Sequence, residues 1–329
     1  MTYFARKIGF YLVALWAALT LNFFIPRMMP GNPVDTLMAK LQQRGGTVDP
    51  AARKSFELLL GADRSEPLFQ QYVSYLGNVF RGDFGVSVSS YPAPVSDVIG
   101  QSLPWTIVLV GMATLISFVL GLLLGTVVGW KRGSWLDSVV PATTVLAAVP
   151  YFWLALVLAA LLSSTLHWFP LLGGYDVALP MGWNWQFVSS AVYHGTLPAL
   201  TIVISSVGGW LLGMRNMMVS TIAEDYILTA RAKGLRNRRI MVRYAARNAA
   251  LPSIAGFATS LGFVVSGSVI TEQVFSYPGV GGRLLQAVQN NDYALMQGIF
   301  LVITVAVLGA NLIVDLLYGV IDPRTRTSH

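Results

Sequence analysis

Apolar and polar positions alternate along this chain in long blocks. Apolar runs of about 20 residues lie at about 8–26, 104–130, 138–162, 196–214, 252–271 and 298–320, with polar stretches between them. Such a run has the length of an α-helix crossing a hydrocarbon core of about 30 Å. Inside lipid a helix satisfies its own amides, so the pattern predicts six membrane-spanning helices. The first run follows Arg6 and Lys7, as a signal peptide would. It is longer than an h-region, however, and PRMMPGNP stands where small residues would mark cleavage, so it reads as a retained anchor.

The polar blocks carry shorter helical signals. In the long segment 27–103, Asp49 before Pro50 reads as an N-cap with proline at N1, opening a helix that stops near Gly61. Ser65, Glu66 and Pro67 open another, on which Leu68, Tyr72, Leu76 and Phe80 recur every fourth residue and form an apolar face. GDFG and YPAP then turn the chain toward the second span. The expected place of this folded loop is a cap on the outer mouth of the bundle.

Composition agrees with a membrane protein. Of 329 residues 54% are hydrophobic and 11% charged, against about 25% charged in soluble domains. The absence of cysteine excludes disulfides and thiolate metal sites, and His167, His194 and His329 lack zinc-ligand spacing, so no metal is expected. The net charge of +7 matters through its distribution. With both termini cytoplasmic, the inner segments hold fourteen basic residues and the two short outer loops only Arg283. This asymmetry predicts that orientation in the membrane.

Asp, Glu, Lys and Arg are missing from the middle of every predicted span. Ion-driven carriers keep such residues to relay protons or bind ions, so the bundle reads as a passive path powered from outside, although backbone sites could still hold sodium. Glycines at 121, 125 and 129, and at 209 and 213, repeat every four residues and predict close helix packing. Trp168, Phe169, Trp183 and Trp185 fit an interfacial belt, with a sugar-stacking substrate path as the alternative. There is no GxxxxGK[ST] phosphate loop and no evident Ser-His-carboxylate set, which argues against a catalytic site and against a bound cofactor in this chain.

Between the fourth and fifth runs lies DYILTARAKGLRNRRIMVRYAARNAALP, residues 225–252, with seven basic residues and one acidic. Thr221 to Glu224 fit a capping box, Gly234 suits a left-handed stop, and Asn237 can cap a second helix that runs to Pro252. Ile227, Ala230 and Gly234 share one side of the first helix, a low-relief face open to a partner, while Arg239, Arg243 and Arg247 form a basic stripe able to reach lipid phosphates. A plain positive-inside loop explains the charge alone. A DNA reader would need a free recognition helix, which flanking spans deny, so nucleic acid is not expected. A docking element for a cytoplasmic protein accounts for every feature.

TARAKGL…RNAALP resembles the EAA loop of bacterial ABC importer permeases, in the branch serving dipeptides, oligopeptides and oligosaccharides. RMMPGNP, RGDFGVSV, VPYFW, VFSYPGVGGRLLQAVQNNDY and DLLYGVIDPRTR are similar to the same branch and follow its order. The resemblance implies an all-α membrane protein, a single permease domain over 1–329 with an extracytoplasmic loop at 27–103, a core module at 104–320 and a cytoplasmic coupling loop at 219–250. It also implies a second homologous permease subunit, two ATPase subunits that bind the ATP and magnesium, and an extracytoplasmic substrate-binding protein. By the resemblance Glu224, Asp225, Leu228, Thr229, Ala230, Arg231, Ala232, Lys233, Gly234 and Leu235 form the coupling element. Thr229 and Ala230 stand for the motif's alanines and Gly234 for its glycine. Leu228 replaces its glutamate, leaving Glu224 and Asp225 one turn earlier as substitutes. Gly234→Trp or Ala230→Arg is expected to leave membrane insertion intact while abolishing substrate-stimulated ATP hydrolysis. The expected function is ATP-driven uptake by alternating access, the alternative being a self-sufficient carrier or channel. The uncharged, tryptophan-rich loop tilts the substrate expectation toward a neutral sugar over a peptide.

Overall fold

The computed structural model describes residues 2–43, 52–60, 67–265 and 268–321, and among them all regular structure is helical apart from one isolated bridge between Val86 and Pro94. In chain order the helices are α1 (Thr2–Met28), α2 (Pro33–Gln43), α3 (Ala52–Leu59), α4 (Leu68–Arg81), α5 (Val95–Trp130), α6 (Val139–Ala148), α7 (Tyr151–Leu158), α8 (Trp185–Ile222), α9 (Asp225–Ala232), α10 (Asn237–Arg239), α11 (Arg247–Ala249), α12 (Leu251–Val264), α13 (Val269–Val274), α14 (Val280–Gln289) and α15 (Tyr293–Ile321). π-helical turns extend α7 over Ala159–Thr165 and join α10 to α11 over Ile240–Ala246. The expected Asp49–Pro50 cap, Gly61, Ser65 and Glu66 lie outside the described residues.

Among the described residues four helical stretches are long and apolar enough to cross a membrane: Arg6–Met28, Val95–Trp130, Trp185–Ile222 and Tyr293–Ile313. The runs expected as third and fifth spans are built from shorter pieces. The third breaks at Pro150, which caps α7: proline has no N–H to donate and restricts the residue before it, so α6 stops short of it. The fifth is divided between α12 and α13. α5 and α8 start well before their apolar runs, at Val95 and Trp185, because a helix continues wherever its ends are satisfied. At α8 the Asn184 side chain accepts from the Phe187 N–H at 2.8 Å.

The chain forms two compact units, one of residues 1–106, 265–269 and 278–329, the other of 107–264 and 270–277, with a boundary inside α5. In the first unit α1 and α15 run antiparallel and are clasped at both ends. Near one end Tyr11 donates to the Asp315 carboxylate at 2.8 Å, and Lys7 pairs with the same group. Near the other, Asn22 donates to the Gln297 carbonyl at 2.8 Å and Gln297 returns a bond to the Asn22 carbonyl. Polar partners within an apolar interface set its register, because each would be costly to bury alone.

Three of the sequence motifs meet in this unit. Fully buried Asp292 accepts from the Ser87 hydroxyl at 2.6 Å, the Ser89 N–H at 2.7 Å and the Leu295 N–H at 3.1 Å, so it caps α15 and ties RGDFGVSV to NNDY. Tyr293 donates to the Gly31 carbonyl at 3.0 Å, bringing in RMMPGNP. Beside this knot Val95, Ile99, Val280, Leu295, Met296 and Ile299 form an apolar core.

The second unit is organised by helix contact at glycine. A Cβ on Gly121, Gly125 or Gly129 would lie 2.3 Å from the Trp210 Cβ, 2.5 Å from the Leu211 carbonyl oxygen and 2.6 Å from the Met218 Cβ respectively, so α5 and α8 touch backbone to backbone. Among the described residues nothing lies within 4 Å of that position at Gly209 or Gly213, so neither makes the expected close approach within this chain. Their neighbour Gly208 makes the close approach instead, against the Thr143 carbonyl. Spacing of four puts residues on one side of a helix but does not say which side is covered. Phe118 stacks on Phe257 at 4.2 Å and meets Trp210 edge-on, completing this contact.

Candidate functional site

The hairpin after α8 is built by a left-handed stop. Gly234 has φ +73°; its N–H bonds to the Arg231 carbonyl at 2.9 Å, and the Leu235 N–H to the Ala230 carbonyl at 3.3 Å. This pair of bonds is a Schellman ending, and Leu235 supplies its apolar contact by packing on the core beneath. The expected glycine stop is therefore present. The expected capping box is not: Thr221 belongs to the last turn of α8, and Glu224 is the N-cap of α9 with no side-chain cap bond. Asn237 likewise is the first residue of α10 rather than its cap, which is Arg236.

α9 lies on its own chain. Ile227 is 0% and Ala230 3% exposed, packed with Met214 and Met218 of α8 and with Ile240, Ala245 and Ala249 beyond the turn. The face expected to be open to a partner is thus turned inward, because a short helix depends on tertiary packing and Ile227 and Ala230 share the side that meets the methionines of α8 and Ile240. The facing methionines and Ile240 were the signal for this in the sequence. Asn248 donates to the Tyr226 hydroxyl at 2.9 Å and locks the two arms together.

The outward face carries Asp225, Leu228, Thr229 and Ala232, all exposed, with Leu228 at 53%. Glu224 and Asp225 stand at the N-terminus of α9 and Arg231 and Lys233 at its C-terminus, each sign favoured there by the helix dipole. The Arg231 guanidinium lies 5.7 Å from the Trp130 ring centroid, at the end of α5. Arg239, Arg243 and Arg247 are exposed, on a segment whose π-helical turns shift them off the straight stripe expected of an α-helix.

An ion pair between residues distant in the sequence steadies the base of this hairpin. Arg215 on α8 donates to the Asp137 carboxylate at 2.8 and 3.0 Å. The Arg215 hydrogen bond, helped by the Gly133 N–H, holds the Asp137 carboxyl below its ordinary range. The two residues are 78 positions apart, and only their opposite charges at predicted span ends hinted at a pairing.

The tryptophans do not gather. Trp183 and Trp185 are almost fully exposed, and no ring contact joins Trp168, Trp183 and Trp185 among the described residues. The Trp168 carbonyl accepts from Tyr193, and Phe169 packs with Ala155, Ala159, Leu197 and Phe275.

Long apolar helices, glycine contacts between them and a compact helical hairpin seated on one of them define a polytopic helical membrane protein of the permease class. Residues 117–327 match the family model for the inner membrane component of binding-protein-dependent transport systems. The chain belongs to this family, an integral inner membrane permease that works with other subunits of a transport system. It is 33% identical to the di/tripeptide transport system permease protein DppB of Pseudomonas aeruginosa, over 99% of both chains. It is 31% identical to the oligopeptide transport system permease protein AppB of Bacillus subtilis, over 98% of both, and to the dipeptide transport system permease protein DppB of Escherichia coli K12, over 99% of both.

Proposed function

We propose that this chain is the permease subunit of an ATP-driven importer of short peptides, with α9 as the element on which the ATPase acts. Peptides are favoured over sugars by the relatives' names, and the scattered tryptophans give the sugar reading no platform. The proposed assembly contains a second homologous permease, two ATPase subunits that bind ATP and magnesium, and an extracytoplasmic binding protein. Both termini and the α9 hairpin face the cytoplasm, where the basic residues concentrate. There are six spans, the third made of α6 and α7 and the fifth starting with α12. This chain contributes half of the path and no catalytic group.

The observation that carries the coupling role is the two-sidedness of α9. Its inner face is locked into the methionine core of α8, and its outer face is a short rigid ridge of Asp225, Leu228, Thr229 and Ala232. A groove that grips the ridge and moves pulls α8 with it, and α5 follows through the glycine contacts. Leu228→Arg alters the ridge without touching the core. The expected result is normal membrane insertion with loss of peptide-stimulated ATP hydrolysis and uptake by the purified complex. Unchanged stimulated hydrolysis and uptake would overturn the coupling role. Peptide uptake by this chain reconstituted alone would overturn the importer reading.

A further inference from the structure

α4 is an unusual helix for a loop in water. Its fourteen residues, LFQQYVSYLGNVFR, carry one charge, Arg81 at the end, and none of them is buried. Phe69 is 77%, Val73 52% and Phe80 82% exposed. At 100° per residue these three fall within one narrow sector of the helix. The expected stripe of Leu68, Tyr72, Leu76 and Phe80 drifts across that surface, so only part of it meets the rest of the chain.

The side next to this sector is fastened to α1. Tyr72 and Thr20 share a hydroxyl hydrogen bond at 2.7 Å, and Asn22 donates to the Tyr75 hydroxyl at 3.2 Å. Both tyrosine rings pack on Phe23, with centroids 5.2 and 5.5 Å away. These anchor points are not at the end of the apolar run of α1, which continues to Pro26 before Arg27. At 1.5 Å per residue Asn22 and Thr20 lie about 6–9 Å back from Pro26 along the helix. α4 is therefore held where the apolar run of α1 meets the headgroup region, the Arg27 guanidinium lying 3.6 Å from the centroid of the same Phe23 ring. Alongside it, Leu21, Phe24, Ile25 and Met28 of α1 are exposed, so the apolar flank of α4 continues a surface that a membrane span presents to acyl chains. The opposite side, Gln70, Ser74, Asn78 and Arg81, is polar and exposed.

We propose that α4 is an interfacial helix lying in the outer leaflet, with Phe69, Val73 and Phe80 among the acyl chains and Gln70, Ser74 and Asn78 toward water. The near absence of charge suits this depth, and Arg81 on the polar side is placed to reach lipid phosphate. A helix fixed in this way ties the segment before α5 to the bilayer as well as to α1.

The chain contains no cysteine, so a single introduced cysteine is its one labelling site, and the unsubstituted complex treated in the same way gives the background to subtract. Val73→Cys, Phe80→Cys, Ser74→Cys and Asn78→Cys would be labelled in the protein purified with its co-purifying subunits. Each would be reconstituted in phosphatidylethanolamine–phosphatidylglycerol nanodiscs, and collision rates with oxygen and with a water-soluble nickel chelate measured. The expected result is a several-fold higher oxygen-to-nickel ratio at 73 and 80 than at 74 and 78. Equal nickel access at all four positions would overturn the proposal in favour of a helix in water. Shielding of 73 and 80 from both reagents would overturn it in favour of a protein partner on that face.

Discussion

Ile227 and Leu228 are neighbours of nearly identical chemistry on opposite sides of α9, and truncating each to alanine separates the two roles of the helix. Ile227 is 0% exposed among Met214, Met218 and Ile240, whereas Leu228 is 53% exposed. Ile227→Ala removes three buried carbons, worth about 2.4 kcal/mol of transfer free energy at about 0.8 kcal/mol each, before any cavity term. Since about 1.4 kcal/mol is tenfold, the ratio of seated to unseated α9 falls roughly 50-fold. Leu228→Ala removes solvent-facing carbons and leaves the seat intact, with an expected cost within about 0.5 kcal/mol. Hydrogen exchange on the reconstituted protein reads this directly: the amides of 229–235 should lose about 50-fold in protection in Ile227→Ala and almost none in Leu228→Ala. Peptide-stimulated ATP hydrolysis should fall in both, through an undocked helix in the first and a flattened ridge in the second. Equal protection of 229–235 in the two variants would refute the assignment of an inner and an outer face. The same geometry reinterprets obstruction at the motif positions. Ala230→Arg would force a guanidinium into the core, and any bulky residue at Gly234 would strain a φ of +73°, so each would damage the hairpin before it tested docking.

Three further outcomes are expected. Gly125→Ala should cost about 1–3 kcal/mol in thermal unfolding of the purified protein because its Cβ meets the Leu211 carbonyl at 2.5 Å, while Gly213→Ala should be neutral or stabilising. Asp292→Ala should destabilise by at least about 2 kcal/mol, leaving the buried Ser87 hydroxyl and Leu295 N–H unpaired, with faster proteolysis of 82–94 as the local readout. The Asp137 carboxyl is depressed by Arg215, so its stabilising contribution is complete above the ordinary carboxylate range and is lost as pH falls through the lowered folded value. The difference in unfolding temperature between wild type and Asp137→Asn should accordingly be constant near neutral pH and vanish in strong acid.

Sequence alone determined the class and the order of parts. Runs of apolar residues long enough to span lipid, the skewed basic residues and the glycine stop at 234 are local or compositional signals, and no distant contact is needed to read them. The separated motifs were legible as a family pattern for the same reason. Tertiary structure decided everything that depends on what covers a surface. It turned Ile227 and Ala230 inward and Leu228 outward, chose Gly208 over Gly209 for close approach, and gathered Gly31, Ser87 and Asp292 into one knot. It also paired Asp137 with Arg215 and set α4 against the last third of α1. A periodic stripe states which residues share a side. Which side is buried follows from the packing of partners far along the chain, and a one-dimensional pattern does not contain that information.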